Sequence, residues 1–173
     1  MVRPAHDAAM TARIAPLTAE HWPDVRRIYL EGIATGDATL EREAPDWHHF
    51  DHSHQRECRF VALDRGVLGW TALSAYSSRR VYAGVAWESV YVAESARGRG
   101  IGRALLEALI PASEAAGFWT LLAGIMTENV ASLTLHERVG FARVGVQHRV
   151  GQDASGRWRD VVLMERRSAQ VGG

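Results

Sequence analysis

The sequence lacks most of the features that mark membrane, secreted or nucleic-acid-binding proteins. Its 173 residues include a single cysteine, Cys58, so an internal disulfide is impossible and the usage fits a reducing cytoplasm. Neither sign of charge prevails, because 20 Lys and Arg balance 20 Asp and Glu. That balance argues against a chain whose main task is to grip nucleic acid or an anionic membrane. Apolar runs are only a few residues long, far short of the roughly 20 that span a bilayer. Residues 1–12 carry no apolar stretch of the kind a signal peptide needs. What is present is ordinary for a globular domain: 47% apolar residues in a length that suits one domain. The expectation is a soluble cytoplasmic protein with one domain over residues 12–167, a loose tail at 1–11 and a C-terminal tail at 168–173.

Periodicity orders the elements. A strand at Ala12 to Ala15 is followed by a helix capped by Thr18, with Trp22, Val25, Ile28, Tyr29 and Ile33 three or four apart on its apolar face. Gly36 ends that helix. A short helix is expected from Pro45 to His54. Strands follow at Phe60–Leu63, Val67–Leu73 and Val85–Val92, the first two joined by a turn at Asp64-Arg65-Gly66. A helix with Ile101, Leu105, Ala108, Leu109 and Ala112 on one face runs to Gly117, and a short buried strand spans Leu121–Ile125. Asn129 caps a helix that Gly140 breaks, and strands at Phe141–His148 and Trp158–Glu165 close the chain. The pattern predicts an α/β chain, an α+β arrangement of helices on both faces of a mixed, mostly antiparallel sheet.

One segment carries chemistry. Arg97-Gly98-Arg99-Gly100-Ile101-Gly102 is a glycine-rich turn between a strand ending at Val92 and a helix. Glycines allow close approach of the backbone, and a helix start offers unpaired N–H groups at a positive dipole end. Together they make an anion site suited to phosphate, with Arg97, Arg99 and Arg103 adding positive charge. A mononucleotide P-loop needs Gly-Lys-Ser/Thr, which is absent here. A dinucleotide fingerprint needs its own glycine spacing after the first strand, whereas this turn follows four strands.

The flanking residues are more specific. Val90-Tyr91-Val92, four residues and then Arg97-x-x-Gly100-x-Gly102 resembles the acetyl-coenzyme A signature of the GNAT acetyltransferases. Asn129-x-x-Ser132, Leu135-His136-Glu137-Arg138-x-Gly140-Phe141 and Gly156-Arg157-Trp158-Arg159-Asp160 resemble the phosphinothricin acetyltransferase branch, and the likeness extends over nearly all of residues 12–166. The resemblance implies the GNAT fold and acetyl transfer from acetyl-coenzyme A to an amine, without a metal. It places the pyrophosphate on residues 97–102 and the pantetheine arm beside Val90–Val92, splayed from Leu121–Ile125. It takes Asn129 and Ser132 toward the cofactor's far end. Homodimers are common among such enzymes.

The branch usually carries a glutamate four positions before the tyrosine of Val-Tyr-Val. Here that position holds Trp87, and Glu88 follows it. Strand alternation turns Glu88 to the opposite face from the family's glutamate, unless a bulge restores its aim. Glu88 and His136 are therefore the two candidate bases. Tyr29 and Glu41 fall at positions matching the substrate side of the branch, and Arg79 and Arg80 offer a clamp for a substrate carboxylate. His48 and His52, i and i+4 on the short helix, have zinc-compatible spacing but no clear third ligand. Trp22, Trp70 and Trp158 fall on apolar faces and read as core, and Cys58 as a bystander. The leading expectation is an acetyltransferase for a small amino acid-like amine such as phosphinothricin or methionine sulfoximine. Transfer to another amine or a protein N-terminus, and a non-catalytic acyl-coenzyme A-binding module, are the alternatives.

Overall fold

The computed structural model describes residues 12–173; residues 1–11, expected as a loose tail, lie outside the described residues. Seven strands form one sheet: β1 (Arg13–Pro16), β2 (His54–Leu63), β3 (Val67–Ala75), β4 (Val85–Val92), β5 (Thr120–Met126), β6 (Ala142–Gln152) and β7 (Trp158–Arg167). Their spatial order is β1-β2-β3-β4-β5-β7-β6. Every neighbouring pair is antiparallel except β4 and β5. The helices are α1 (Trp22–Thr35), α2 (Trp47–Ser53), α3 (Ile101–Ala115) and α4 (Val130–Arg138). The element order matches the one expected from periodicity. α3 supplies the long crossover that a parallel pair requires.

Two apolar clusters hold the layers together. In the first, Val25 and Ile28 of α1 and Phe50 of α2 belong with Val61 and Trp70 of the sheet. In the second, Leu106 and Leu109 of α3 and Leu133 of α4 belong with Leu121, Ala123, Val162 and Met164. The helices stop where the sequence says they should. Gly36 has φ of 72° at the end of α1, a left-handed conformation that a side chain would strain.

The pairing of β4 with β5 is short, and this positions the site. It covers only Val85↔Thr120, Ala86↔Leu121 and Trp87↔Leu122. Beyond Trp87 the two strands part. The vertex is pinned from behind, where the N–H groups of Trp119 and Thr120 both donate to the Gly84 carbonyl at 2.8 and 3.1 Å. A Cβ on Gly84 would lie 2.0 Å from the Trp119 ring, so only glycine lets that indole close the vertex.

Several expectations need correction. The pairing of β3 with β4 runs unbroken from Ala75↔Ala86 to Gly69↔Val92, so β4 contains no bulge against β3. β2 begins at His54 rather than Phe60, with a register shift between His54 and Arg59 that blurs the alternation read from sequence. Thr18 caps a 3-10 turn, Ala19–His21, and α1 starts only at Trp22. Trp158 is 55% exposed instead of core. Its neighbour Arg159 takes the covered face of β7, and alternation turns the indole outward. Trp70 is buried as expected, and Trp22 packs partly buried against the first cluster. After β7 the Ser168 hydroxyl donates to Glu114 at 2.9 Å and Arg167 donates to the Val171 carbonyl at 2.8 Å. None of the described helices is long and apolar enough to cross a membrane.

Candidate active site

The parting of β4 and β5 opens a cleft of about 90 Å³. Glu88, Ser89, Val90 and Tyr91 line one wall, Ala123, Gly124 and Ile125 the other, and Asp37, Asn129, Ser132 and His136 close its rim. Residues 88–92 keep β3 as their only strand partner. In an antiparallel strand every second residue directs its N–H and C=O away from its partner, so this stretch offers a free backbone edge. An extended ligand with amide groups can add to such an edge. Two wider, shallow depressions lie elsewhere, one beside Arg149, Arg157 and Trp158 and one beside His48 and His52. Neither contains a residue of the splayed strands.

The turn before α3 follows the end of β4, the strand that forms one wall of the cleft. Gly98 and Gly100 have φ of 73° and 77°, and no side chain caps the helix at Gly100. The first N–H groups of α3 are thus left for an anion. Arg99 approaches Asp64 at 3.7 Å and Arg103 donates to Glu107 at 2.7 Å, so two of the three arginines lean on carboxylates of the protein. Gly102 also has a packing duty. A Cβ there would sit 2.9 Å from Leu135 and 3.5 Å from Val92, so it lets α3 pack close to α4 and β4.

Glu88 and His136, 48 residues apart, meet in the cleft wall. Glu88 Oε2 lies 2.8 Å from His136 Nε2, and the side chains are 1% and 2% exposed. The other ring nitrogen, Nδ1, lies 2.7 Å from the Ser132 carbonyl, which can only accept. Nδ1 therefore carries a proton, and both nitrogens of the ring are engaged. His136 has no nitrogen free for a substrate. Glu88 Oε1, in contrast, is buried with no hydrogen-bond partner. Burial opposes charge on His136, but the facing Glu88 carboxylate and the Ser132 carbonyl together hold its pKa above the ordinary value.

A raised histidine pKa has a stability consequence with a definite sign. The pair's contribution is fully present below about pH 6.5, the unfolded histidine value, and is lost as pH rises through the higher folded value. The melting-temperature advantage of the parent over Glu88→Gln is expected to shrink as pH is raised from 6 to 9. Thermal melts of the two proteins across that range check it, and a constant difference would contradict the ion pair.

The remaining candidates are distributed as follows. Tyr29 packs edge-on against Tyr91 with ring centroids 4.9 Å apart, on the sheet face opposite Glu88. Burial raises the pKa of both phenols, and the charge of Glu41 adds to the effect at Tyr29. Asn129 caps α4 by accepting from the Ser132 N–H at 3.1 Å and donates to the Asp37 carbonyl at 3.2 Å. Arg79 stacks its guanidinium 5.2 Å from the Tyr82 ring, and Arg80 opens a 3-10 turn, Arg80–Tyr82. Neither arginine lines the cleft, so the structure does not bring them together with Glu88. His54 is turned onto Phe50, and Asp51 is engaged by Arg56 and Arg59. Among the described residues no three His, Cys, Asp or Glu stand together as a metal site. Burial pushes the Cys58 thiol up to about 11, which leaves it unreactive.

Residues 18–141 match the family model for the acetyltransferase (GNAT) family. This chain belongs to the GNAT family. It is 36% identical over 156 residues to phosphinothricin N-acetyltransferase of Alcaligenes faecalis, covering 83% of this chain and 76% of that protein. It is 38% identical over 165 residues to the L-methionine sulfoximine/L-methionine sulfone acetyltransferase of Pseudomonas aeruginosa, covering 90% and 94%. A crystal structure of a phosphinothricin acetyltransferase from Sinorhizobium meliloti in complex with acetyl-coenzyme A superposes with a TM-score of 0.84 at 31% identity, covering 94% of this chain and 91% of that one. The acetyltransferase thus has the GNAT fold and uses acetyl-coenzyme A.

Its own features fit that cosubstrate: an uncapped helix start behind left-handed glycines, and an open β4 edge leading from it to Glu88. Gly100→Val is expected to weaken coenzyme A binding at least ten-fold, because a branched side chain strains φ of 77° and crowds the N–H groups. Isothermal titration of parent, Gly100→Ala and Gly100→Val checks this, with affinity falling in that order. Equal affinities would remove the anion site from this loop.

The acetyltransferase also uses a residue that sequence reasoning missed. Arg159 is 2% exposed and donates to the Gly36 carbonyl and to Asp37, each at 2.6 Å. It reaches Glu128 at 3.2 Å and Asp153 at 3.4 Å as well. One guanidinium thus ties the loop after α1, whose Asp37 lies at the rim of the cleft, to the β5–α4 corner and the β6–β7 turn. The only sequence signal was its place within Gly156-Arg157-Trp158-Arg159-Asp160, which names no partner.

Proposed function

We propose that this acetyltransferase moves the acetyl group of acetyl-coenzyme A directly to the amine of a small amino acid-like compound, with Glu88 as the proton acceptor. The observation that carries the reading is the unpartnered Glu88 Oε1, buried in the wall of the splay beside the free β4 edge. Backbone groups of residues 97–102 hold the pyrophosphate and the β4 edge pairs with the pantetheine amides. Glu88 Oε1 takes a proton from the substrate ammonium, directly or through one water. The freed amine attacks the thioester carbonyl, the C–N bond forms, the C–S bond breaks, and the thiolate leaves as coenzyme A thiol with the proton the nitrogen gives up. His136 positions Glu88 through the contact between Nε2 and Oε2. The rate rises toward alkaline pH because the free amine is the nucleophile.

The acceptor class rests on the names of the two relatives, which act on phosphinothricin and methionine sulfoximine; Arg79 and Arg80, which do not line the cleft, are proposed as readers of the acceptor's carboxylate. An amino acid acceptor and its decarboxylated analogue, each assayed with parent and Arg80→Ala, test the carboxylate reading. The expected result is a loss of about ten-fold or more in kcat/KM for the amino acid alone. An equal loss on both acceptors removes the arginine from that role.

The acetyltransferase is also proposed to work as a homodimer in the cytoplasm. Edge strand β6 is exposed from Ala142 to Val150 and carries Val144 and Val146, with Trp158 beside it on β7. A second copy is the occupant suited to that long open edge. Light scattering that returned the monomer mass at micromolar concentration would contradict it.

A further inference from the structure

The face of β4 opposite Glu88 reads Trp87, Ser89, Tyr91, two residues apart and on one side of the sheet. Their cross-strand partners on β3 are Ser74, Ala72 and Trp70. The three pairs form a profile along the face: Trp70 stacked on Tyr91 at 4.7 Å, then the small pair Ala72 and Ser89, then Trp87 opposite Ser74. Tyr29 of α1 covers the first pair edge-on. The last pair is only partly covered, since Trp87 and Ser74 are both half-buried.

Trp87 is met instead by Tyr76, with ring centroids 6.0 Å apart, and Tyr76 packs edge-on against Tyr82 at 5.6 Å. Tyr76 and Tyr82 remain 43% and 38% exposed, and Arg79 lies over the outer face of Tyr82. Tyr76 and Tyr82 thus stand in solvent beside the partly buried Trp87 at the vertex of the splay, separated from the Tyr29–Tyr91 pair by the width of one small residue pair. Ser89, in that gap, also lines the cleft. The rings and the reaction site are continuous through it.

We propose that Trp87, Tyr76 and Tyr82 form a subsite for the acceptor's side chain, and that the preferred acceptor is an α-amino acid with a flat aromatic side chain. This rests on the reading of the chain as an amino acid N-acetyltransferase. An aromatic side chain set against Trp87 buries its faces among rings that favour offset or edge-on contact. Ser89, which lines the cleft together with Glu88, sets the α-carbon and its amine at the splay. The position that the related branch fills with a carboxylate is used here for recognition, and the neighbouring Glu88 supplies the carboxylate.

The test is a comparison of kcat/KM at saturating acetyl-coenzyme A for L-phenylalanine, L-tryptophan, L-methionine sulfoximine and L-alanine. The parent should favour the two aromatic acceptors over L-alanine by ten-fold or more. Trp87→Ala should lower kcat/KM for the aromatic acceptors about ten-fold and leave L-alanine within two-fold, while Trp87→Phe retains most of the preference. Tyr82→Ala, on an exposed turn, should give a smaller loss of the same selectivity and guards against misfolding of the Trp87 variants. Preference for L-methionine sulfoximine over both aromatic acceptors, or equal losses on all acceptors, would overturn the subsite and leave the amino acid acetyltransferase reading intact. Coenzyme binding without turnover of any of the four would overturn both.

Discussion

Glu88→Gln is expected to lower kcat about 100-fold, close to 2.7 kcal/mol of transition-state stabilisation, with coenzyme A affinity within two-fold of the parent. The amide is isosteric, so it keeps the strand packing and can still meet His136. It cannot take a proton from an ammonium group, and it removes the charge that holds the imidazolium. His136→Asn should cost less in kcat, because Asn leaves the Glu88 carboxylate in place but free to turn. Stopped assays at several pH values, together with titration calorimetry for coenzyme A, separate the two roles. A larger kcat loss in His136→Asn than in Glu88→Gln would make the histidine the proton carrier, against the engagement of both its nitrogens.

Arg159→Met is the second large effect, and it is one of stability. The side chain of Arg159 is 2% exposed, and its guanidinium serves four oxygen acceptors on three loops. Methionine fills the volume but leaves Asp37 and Glu128 without their counter-charge and Asp153 with Arg157 alone. A loss of about 2–4 kcal/mol is expected, lowering Tm by roughly 5–15 °C for a chain of this size. Arg159→Lys should recover only part, since a point charge cannot span acceptors that a planar fork reaches. Calorimetry of the three proteins checks the order. The network also has an acid limit. The pKa of Glu128 is lowered by its own backbone N–H and by Arg159, and that of Asp153 chiefly by the Ser155 hydroxyl and neighbouring N–H groups. Their contribution is present above the ordinary carboxylate range and lost as pH falls through the lowered values.

Local chemistry made much of this fold legible. Gly36, Gly117 and Gly140 stop three elements where the periodicity stops, and residues 97–102 could belong to nothing except a strand-to-helix turn. Residues that act within one turn of chain, such as Asn129 capping Ser132, were equally readable. Long-range pairing was not. Glu88 and His136 each read as an isolated candidate, and only the fold shows that one oxygen stays free while both ring nitrogens are engaged. Arg159 finds Asp37 across 122 residues, a pairing that no spacing announces. The aim of Glu88 was the hardest case, because alternation gives the face of a strand but not which helix covers that face. Without a bulge, the carboxylate follows strict alternation to α4 and finds His136 there. Trp158 misled for a related reason: an apolar side chain at a strand end is buried only if some element reaches that far.

Release of coenzyme A thiol is the measurement closest to the central claim. Parent protein is incubated with acetyl-coenzyme A alone, and then with amino acid acceptors that include L-methionine sulfoximine and L-phenylalanine. Thiol should appear only when an acceptor is present, matched mole for mole by the N-acetylated amino acid, and should fall about 100-fold in Glu88→Gln. Tight coenzyme binding with no acceptor-dependent thiol would contradict catalysis and make the splayed strands a binding site alone.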